Sequence, residues 1–144
     1  WTVGDVFGPA LALAHSFGRL GCFFAGCCYG RECHLPWSVT FSNPGALAPV
    51  NIPRHPTQLY EAAGTLTLFF VLDRYQRSSH AEGTTFGWYL VSYSILRFVI
   101  EFARGDDRGG TYLGLSPSQL FSLFALAAGI VVIWVRNKRA AHNV

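Results

Sequence analysis

Two short stretches of the sequence contain residue types that can do chemistry. One is "FGRLGCFFAGCCYG" (residues 17–30), which places an arginine and three cysteines among glycines and apolar residues. The other is "YSILRFVIEFAR" (residues 93–104). A guanidinium in such apolar surroundings keeps its charge and needs an anionic partner. The second stretch puts four polar residues, spaced four, four and three apart, on one stripe of a helix: Tyr93, Arg97, Glu101 and Arg104.

The carboxylates of the chain offer one set of partners for these arginines. Arg19 with Glu61, and Arg97 with Glu101, could form internal ion pairs that only hold helices together. With Arg104 added, however, three arginines outnumber the two glutamates. We therefore expect the surplus positive charge to bind an anion from outside the chain. A lipid phosphate suits this role, because the planar guanidinium donates two parallel hydrogen bonds to phosphate oxygens.

The composition favours a membrane protein. Of the 144 residues, 51% are apolar and only 13% are charged, against about 25% charged in ordinary soluble domains. The net charge of +3 is small. There is no basic stripe with interleaved aromatics and no glycine-rich phosphate loop after a strand, so nucleic-acid binding is excluded.

Four segments are candidates to cross a bilayer, which takes about 20 mainly apolar residues. The second is short, and a buried or half-inserted helix is its alternative. "SPSQ" (residues 116–119) is a capping box that predicts where the fourth helix begins, and "HPTQ" (residues 55–58) repeats that layout before the second. The predicted segments are residues 6–26, 57–72, 86–103 and 119–135. We expect an all-α, polytopic transmembrane helix bundle in a single membrane domain over residues 1–144.

Basic residues beside the segments predict the orientation. The positive-inside rule puts the loop after the second helix and the basic tail at residues 136–144 in the cytoplasm. The loops at 27–56 and 104–115 then lie outside, although the shorter one carries Arg104 and Arg108, offset by Asp106 and Asp107. The residues behind the cytoplasmic assignment are Arg74, Arg77, Arg136, Lys138 and Arg139.

This topology brings polar groups from all four helices to one depth. At about 1.5 Å of rise per residue, Arg19 lies about 10 Å and Arg97 about 9 Å below the outer ends of their helices. Tyr60 and Glu61 lie within about 9 Å of the outer start of the second helix, and Gln119 opens the fourth. We therefore expect one polar layer near the outer leaflet.

Five motifs give the chain a resemblance to a known family. They resemble the prolipoprotein diacylglyceryl transferases from about Asp5 to Leu123. Members of that family are seven-helix enzymes of the bacterial plasma membrane. They move the diacylglyceryl group of phosphatidylglycerol onto the lipobox cysteine thiol of a prolipoprotein and release glycerol phosphate. The motifs, in order, are "GRLGCFFAGCCYG", "PWSVTF", "RHPTQLYEA", "YSILRFVIEFARGDD" and "LSPSQLFSL".

The resemblance implies the same reaction here, with phosphatidylglycerol, prolipoprotein signal peptides and membrane lipids as partners. It implies neither a cofactor nor a metal. It places the family's essential arginines on Arg19 and Arg97 and its catalytic-region tyrosine on Tyr93, and Glu101 completes the expected catalytic set as the residue that orients Arg97. The substrate-binding set expected from matching positions is Arg19, Arg97, Arg104, Gly30, His55, Gln58, Tyr60 and Glu61.

The chain departs from the family pattern in the first motif. Where the family reads GRxGNFxNGE, Cys22, Ala25 and Cys27 replace two asparagines and a glutamate. The family's upstream half, with its HGG motif, is not in the chain, so we expect the C-terminal part of such a transferase. Two alternatives stay open: a non-catalytic relative that binds anionic lipid, and a membrane thiol or disulfide protein.

The cysteines support that last alternative. The pattern C-x4-C-C-x4-C matches none of the usual C-x2-C zinc spacings. A disulfide among Cys27, Cys28 and Cys33 is favoured over zinc, because an extracytoplasmic loop lies in an oxidising compartment. For Cys22 the alternative is a thiol packed against small residues.

Overall fold

A computed structural model of the chain describes residues 1–106, 110 and 114–142. Its helices are α1 (Thr2–Phe24), α2 (Thr57–Gln76), α3 (Thr84–Glu101) and α4 (Pro117–His142). The prediction of a mainly helical chain is confirmed. α2 is longer than the sequence suggested, since it extends to Gln76. A small antiparallel pair, β1 (Val39–Thr40) and β2 (Pro53–Arg54), lies in the loop between α1 and α2, with Val39 opposite Arg54.

The four helices alternate in direction. Asp5 of α1 accepts hydrogen bonds from the backbone N–H groups of Gly83 (2.6 Å) and Phe86 (3.0 Å) at the start of α3. Arg136, near the end of α4, donates to the carbonyl of Glu82 and lies over the Trp1 ring. The starts of α1 and α3 therefore share one end of the bundle with the end of α4. The end of α1, the start of α2 and the end of α3 meet at the opposite end.

Two local features fix α4. The predicted capping box is confirmed, because Ser116 Oγ accepts from the Gln119 N–H and Gln119 Oε1 accepts from the Ser116 N–H. α4 crosses α3 closely at Gly129, where an added Cβ would lie 2.8 Å from the carbonyl oxygen of Gly87. Only glycine allows this approach of the two backbones.

The capping layout predicted for α2 is wrong. Pro56 precedes the first helical residue, Thr57, and no side chain caps the helix there. Nδ1 of His55 instead lies 3.2 Å from the Tyr60 hydroxyl. The amide of Gln58 reaches the neighbouring loop instead of its own helix. The helix begins where the sequence predicted, but for a different reason.

The bundle buries many polar side chains beside a small apolar core, and it exposes many large apolar side chains. Its most deeply buried side chains include Gln58, Glu61 and Thr65, each no more than 1% exposed. Phe7, Phe70, Phe121 and many other large apolar side chains are exposed.

Within the described residues, α4 alone is long and apolar enough to span a membrane by length and composition. Asp107 and Arg108, used to predict the orientation, lie outside the described residues.

Candidate functional site

A helix-terminating motif holds the polar end of α1 in place. The N–H of Gly26 bonds to the carbonyl of Phe23, and the N–H of Cys27 bonds to that of Cys22. This is the Schellman arrangement, which requires a left-handed residue after the helix. Gly26 supplies it with φ of 64°, and an added Cβ there would lie 2.6 Å from the Cβ of Ala46.

The loop that follows is tied to the start of α2. Gln58 Nε2 donates to the carbonyl of Cys27 at 2.7 Å, and Thr57 Oγ1 donates to that of Cys28 at 2.9 Å. Both donors are buried. The polar residues that open α2 therefore fix the backbone after α1, and Gln58, expected to bind substrate, is part of this framework.

Gly30 joins the same loop to α2 and α3. Its N–H bonds to the carbonyl of His55, and it forms an antiparallel bridge with Arg104. A Cβ at this position would lie 2.9 Å from the Ala103 carbonyl oxygen and 2.5 Å from the Cβ of His55. Gly30 was expected in the substrate-binding set, and the structure places it where three segments meet too closely for any side chain.

Glu61 connects three helices at this end. Its Oε2 lies 3.0 Å from Nε of Arg19 on α1, and its Oε1 accepts a hydrogen bond from the Tyr93 hydroxyl on α3 at 3.2 Å. The Glu61 side chain is 1% exposed, whereas that of Arg19 is 19% exposed. The Glu61 carboxylate is therefore enclosed by the protein, whereas the Arg19 side chain is partly accessible.

Arg97 forms a second cluster with α4. Its Nη1 lies 2.8 Å from Oε2 of Glu101, and its Nη2 donates to Ser118 Oγ at 3.0 Å. Ser116 Oγ donates to the other oxygen of Glu101 at 2.8 Å. Glu101 thus fixes Arg97 from its own helix, one turn away, while the capping residue of α4 fixes Glu101.

Arg104, just after the end of α3, is the third arginine that pairs with carboxylates at this end of the bundle. It forms two hydrogen bonds with Asp106, at 2.9 and 2.7 Å, and its Nε lies 3.7 Å from Glu101. Burial lowers the pKa of the Arg104 guanidinium, but hydrogen bonds with Asp106 and Cys28 outweigh burial and raise it above its usual value. Arg104 therefore stays charged at any physiological pH.

The charge count corrects the argument for surplus charge. Both internal ion pairs considered from the sequence form, and Asp106 supplies a third carboxylate for the three arginines. The sequence argument missed this pairing because it treated Asp106 only as a loop charge. Further positive charge at this end comes from Arg31 and Arg54, which donate to the backbone carbonyls of Arg104 and Gly30 respectively.

A cavity of about 260 Å³ lies between α3 and α4 beside Arg97. Arg97 Nη1 is paired with Glu101 there, whereas the buried Ser94 Oγ has no hydrogen-bond partner within the described part of the chain. Buried polar groups are nearly always hydrogen-bonded, so an unpartnered hydroxyl beside a cavity is consistent with a bound polar group or water. Ser94 and Ser118 were not predicted, although both lie on the helices that carry the motifs. The lining residues are Tyr93, Ser94, Arg97, Ser118, Phe121, Ser122 and Ala125.

His55 and Tyr60 lie in a separate patch. The Tyr60 hydroxyl accepts a hydrogen bond from Nε1 of Trp37 at 2.8 Å and lies 3.2 Å from Nδ1 of His55. This patch joins the long loop to the start of α2. Its backbone is tied to Arg31, since the His55 N–H bonds to the Arg31 carbonyl, but within the described residues the structure records no side-chain contact from His55 or Tyr60 to the three arginines that pair with carboxylates.

The cysteines are arranged differently from the sequence prediction. The sulfur atoms of Cys22, Cys27 and Cys28 lie within 4.8 Å of one another, whereas Cys33 is buried at a different place, beside β2. No disulfide bond joins any of the four, all of which are described. Burial, followed by hydrogen bonding with Cys22, raises the pKa of the Cys27 thiol to about 11.

A helical bundle with an apolar exterior and buried arginine–carboxylate clusters is typical of a membrane protein with a functional polar interior. Residues 1–135 match the family described as Prolipoprotein diacylglyceryl transferase. The chain therefore belongs to that family, which confirms the resemblance noted in the five motifs.

Named relatives agree with the family assignment. Phosphatidylglycerol–prolipoprotein diacylglyceryl transferase of Clostridium tetani is 45% identical over 128 residues, which are 89% of this chain and 51% of that protein. Phosphatidylglycerol–prolipoprotein diacylglyceryl transferase 2 of Clostridium perfringens is 41% identical. The match covers 92% of this chain and 52% of that protein. The transferase of Idiomarina loihiensis is 37% identical, and the match covers 95% of this chain and 50% of that protein. The chain spans about half the length of the relatives it matches.

Proposed function

We propose that this protein transfers the diacylglyceryl group of phosphatidylglycerol to the lipobox cysteine thiol of prolipoproteins. Family membership and the names of the relatives support the reaction. The observation that carries the proposal is the cavity beside Arg97, where a buried guanidinium held by Glu101 and Ser118 lies next to the Ser94 hydroxyl, which lacks a partner within the described residues. A lipid phosphate in this cavity would accept hydrogen bonds from the guanidinium and from Ser94.

The proposal includes a multi-pass position in the bacterial plasma membrane. All four helices have 18 to 26 residues and expose large apolar side chains. Extensive apolar exposure of this kind indicates a lipid-facing surface. The positive-inside rule puts the end of α4, with Arg136, Lys138 and Arg139, in the cytoplasm. The arginine clusters then lie near the extracytoplasmic face.

Arg97 and Arg19 are assigned to the lipid phosphate. Arg97 lines the cavity and is positioned by Glu101 and Ser118. Arg19 contacts Glu61 through Nε, and its side chain is 19% exposed, which leaves it room to contact a ligand. Arginine suits a phosphate because its planar fork matches the phosphate oxygens.

Tyr93 is assigned to the headgroup glycerol. Its hydroxyl donates to Glu61, so its oxygen can accept a hydrogen bond from a glycerol hydroxyl of the lipid. Glu61 and Glu101 position Tyr93, Arg19 and Arg97, and neither acts as the general base in this proposal. Arg104, Gly30 and Gln58 hold the loops around the site, while His55 and Tyr60 offer a polar, aromatic contact for the signal peptide.

The reaction forms a carbon–sulfur bond and breaks the bond between the glyceryl carbon and a phosphate oxygen. The thiol gives up its proton, and glycerol phosphate leaves with the electron pair of the broken bond and takes up that proton. Negative charge gathers on the departing phosphate, where preorganised donors stabilise it best. Losing one such donor typically costs about 2.7–4 kcal/mol of barrier height.

The test is a transfer assay with the intact protein in vesicles that contain phosphatidylglycerol labelled in the glycerol carbons of its diacylglyceryl group. With a lipobox peptide, we expect a labelled thioether product that survives treatment with base. Retention of labelled lipid without product would instead support the non-catalytic binder, which the substitutions at Cys22 and Cys27 favour. If the assay gives no product and the protein retains no lipid, both the enzyme and the lipid-binder hypotheses are refuted.

A further inference from the structure

Three cysteine side chains form a cluster that the transfer reaction does not use. We name Cys22, Cys27 and Cys28 the thiol triad; their sulfur atoms lie within 4.8 Å of one another, and all three residues are partly buried. Cys33 is not part of the cluster. The triad lies at the end of α1, beside the loop that Thr57 and Gln58 hold in place.

Backbone hydrogen bonds fix the triad, and the Cys27 thiol adds a hydrogen bond to the Cys22 carbonyl at 3.6 Å. The Schellman hydrogen bond from the Cys27 N–H to the Cys22 carbonyl is 3.0 Å long and brings these two residues side by side. Cys28 has φ of 60°, a left-handed conformation that turns the chain, and Thr57 donates to its carbonyl. The sequence spacing did not reveal the cluster, because a helix end, not a C-x2-C turn, creates it.

We propose that the thiol triad binds one thiolate-preferring metal ion of the Zn²⁺ class. Zinc–sulfur bonds are about 2.3 Å long, so three thiolates in tetrahedral geometry lie about 3.8 Å apart. Small side-chain rotations bring sulfur atoms within 4.8 Å of one another to that separation. The fourth position is open to water or another small ligand.

Charge supports the same conclusion. Binding Zn²⁺ releases three thiol protons and leaves a complex with one net negative charge. Cys28 interacts with the guanidinium groups of both Arg19 and Arg104, which compensate that charge. The bound ion would fasten the end of α1 to the loop beside the arginine clusters. It takes no part in the transfer chemistry.

The test uses the intact protein in detergent, reduced, freed of metal and kept without oxygen. Co²⁺ serves as the optical probe, because tetrahedral thiolate sites give it strong visible absorption. We expect one equivalent of Co²⁺ to bind with sulfur-to-cobalt charge-transfer absorption and Zn²⁺ to displace it. Cys22→Ser and Cys28→Ser should each weaken binding at least tenfold, while the matched control Cys33→Ser should leave it unchanged.

A second measurement does not depend on the variants folding. Zn²⁺ should protect Cys22, Cys27 and Cys28 of the unmodified protein from alkylation, as read by peptide mass spectrometry. The proposal is overturned if Co²⁺ gives no saturable absorption, if Cys33→Ser weakens binding as much as Cys22→Ser, or if Zn²⁺ protects none of the three thiols. A disulfide within the triad in protein taken directly from membranes would also overturn it.

Discussion

The hydroxyl of Tyr93 lies 3.2 Å from Oε1 of Glu61, the carboxylate whose other oxygen holds Arg19. One side chain of α2 thereby joins the polar residues of α1 and α3. Because Glu61 is almost completely buried, those two partners contact its carboxylate where water does not. Arg19, proposed to bind the lipid phosphate, and Tyr93, proposed to bind the headgroup glycerol, are therefore both positioned by Glu61.

Glu61→Gln should lower both stability and transfer. The amide keeps the size of the carboxylate but leaves Arg19 without a counter-charge. Breaking a buried ion pair costs about 3–5 kcal/mol, and partial exposure of Arg19 brings our expectation to about 2 kcal/mol. Chemical denaturation in detergent measures the loss. The matched control is Asp73→Asn on the same helix, which breaks the exposed Arg77–Asp73 pair and should cost less than about 1 kcal/mol.

Arg97→Ala should lower the transfer rate by about 10²–10³-fold, because it removes a preorganised donor from the departing phosphate. Arg97→Lys should recover only part of that loss, since an ammonium cannot reproduce the planar fork. The assay is thioether formation in vesicles. The control is Arg77→Ala, which removes an exposed arginine near the end of α2 and should leave transfer unchanged. Near-normal transfer by Arg97→Ala would contradict the assignment of Arg97.

Ser118→Ala should reduce transfer about fivefold with little change in stability. The substitution removes the hydrogen bond that positions Arg97, worth about 1 kcal/mol. Ser122→Ala is matched, because Ser122 lines the same cavity but donates to the Ser118 carbonyl. Equal effects of the two substitutions would mean that the cavity lining, and not the position of Arg97, determines the rate.

Gly30→Ala should destabilise the folded protein by about 1–3 kcal/mol, the usual cost of overpacking. The added methyl group would collide with the backbone of Ala103 and with His55. Gly18→Ala is the matched control, since a Cβ at Gly18 meets nothing within 4 Å among the described residues. That variant should be neutral or gain up to about 1 kcal/mol from improved helix propensity. Thermal unfolding of both variants in one detergent makes the comparison.

The sequence predicts the helices because long apolar stretches and their end signals are local features. The shared depth of the arginines depends on the membrane topology and stays a prediction. The capping box at Ser116 is equally local and correct. The sequence at His55 resembles a capping box, but other contacts prevent capping. The His55 imidazole lies against the Tyr60 hydroxyl, and the Gln58 amide donates to the Cys27 carbonyl.

Three features were beyond the reach of sequence reasoning. The Asp106–Arg104 pair depends on how the chain turns after α3, and the cavity at Arg97 depends on the crossing of α3 and α4. The thiol triad depends on the way α1 ends. Whether four helices cross a bilayer stays a prediction, since α4 alone meets the length and composition criterion in the described chain.

The bond from Asp5 to the first turn of α3 has a mechanical consequence. It fastens α1 to α3 at the end opposite the arginines. The distance along α3 from that attachment to Arg97 is about 20 Å. A tilt of α3 by about 10° would therefore displace the Arg97 guanidinium by about 3 Å. A small swing of α3 about its anchored end would therefore be enough to widen the cavity beside Arg97, in which we propose that the lipid headgroup binds.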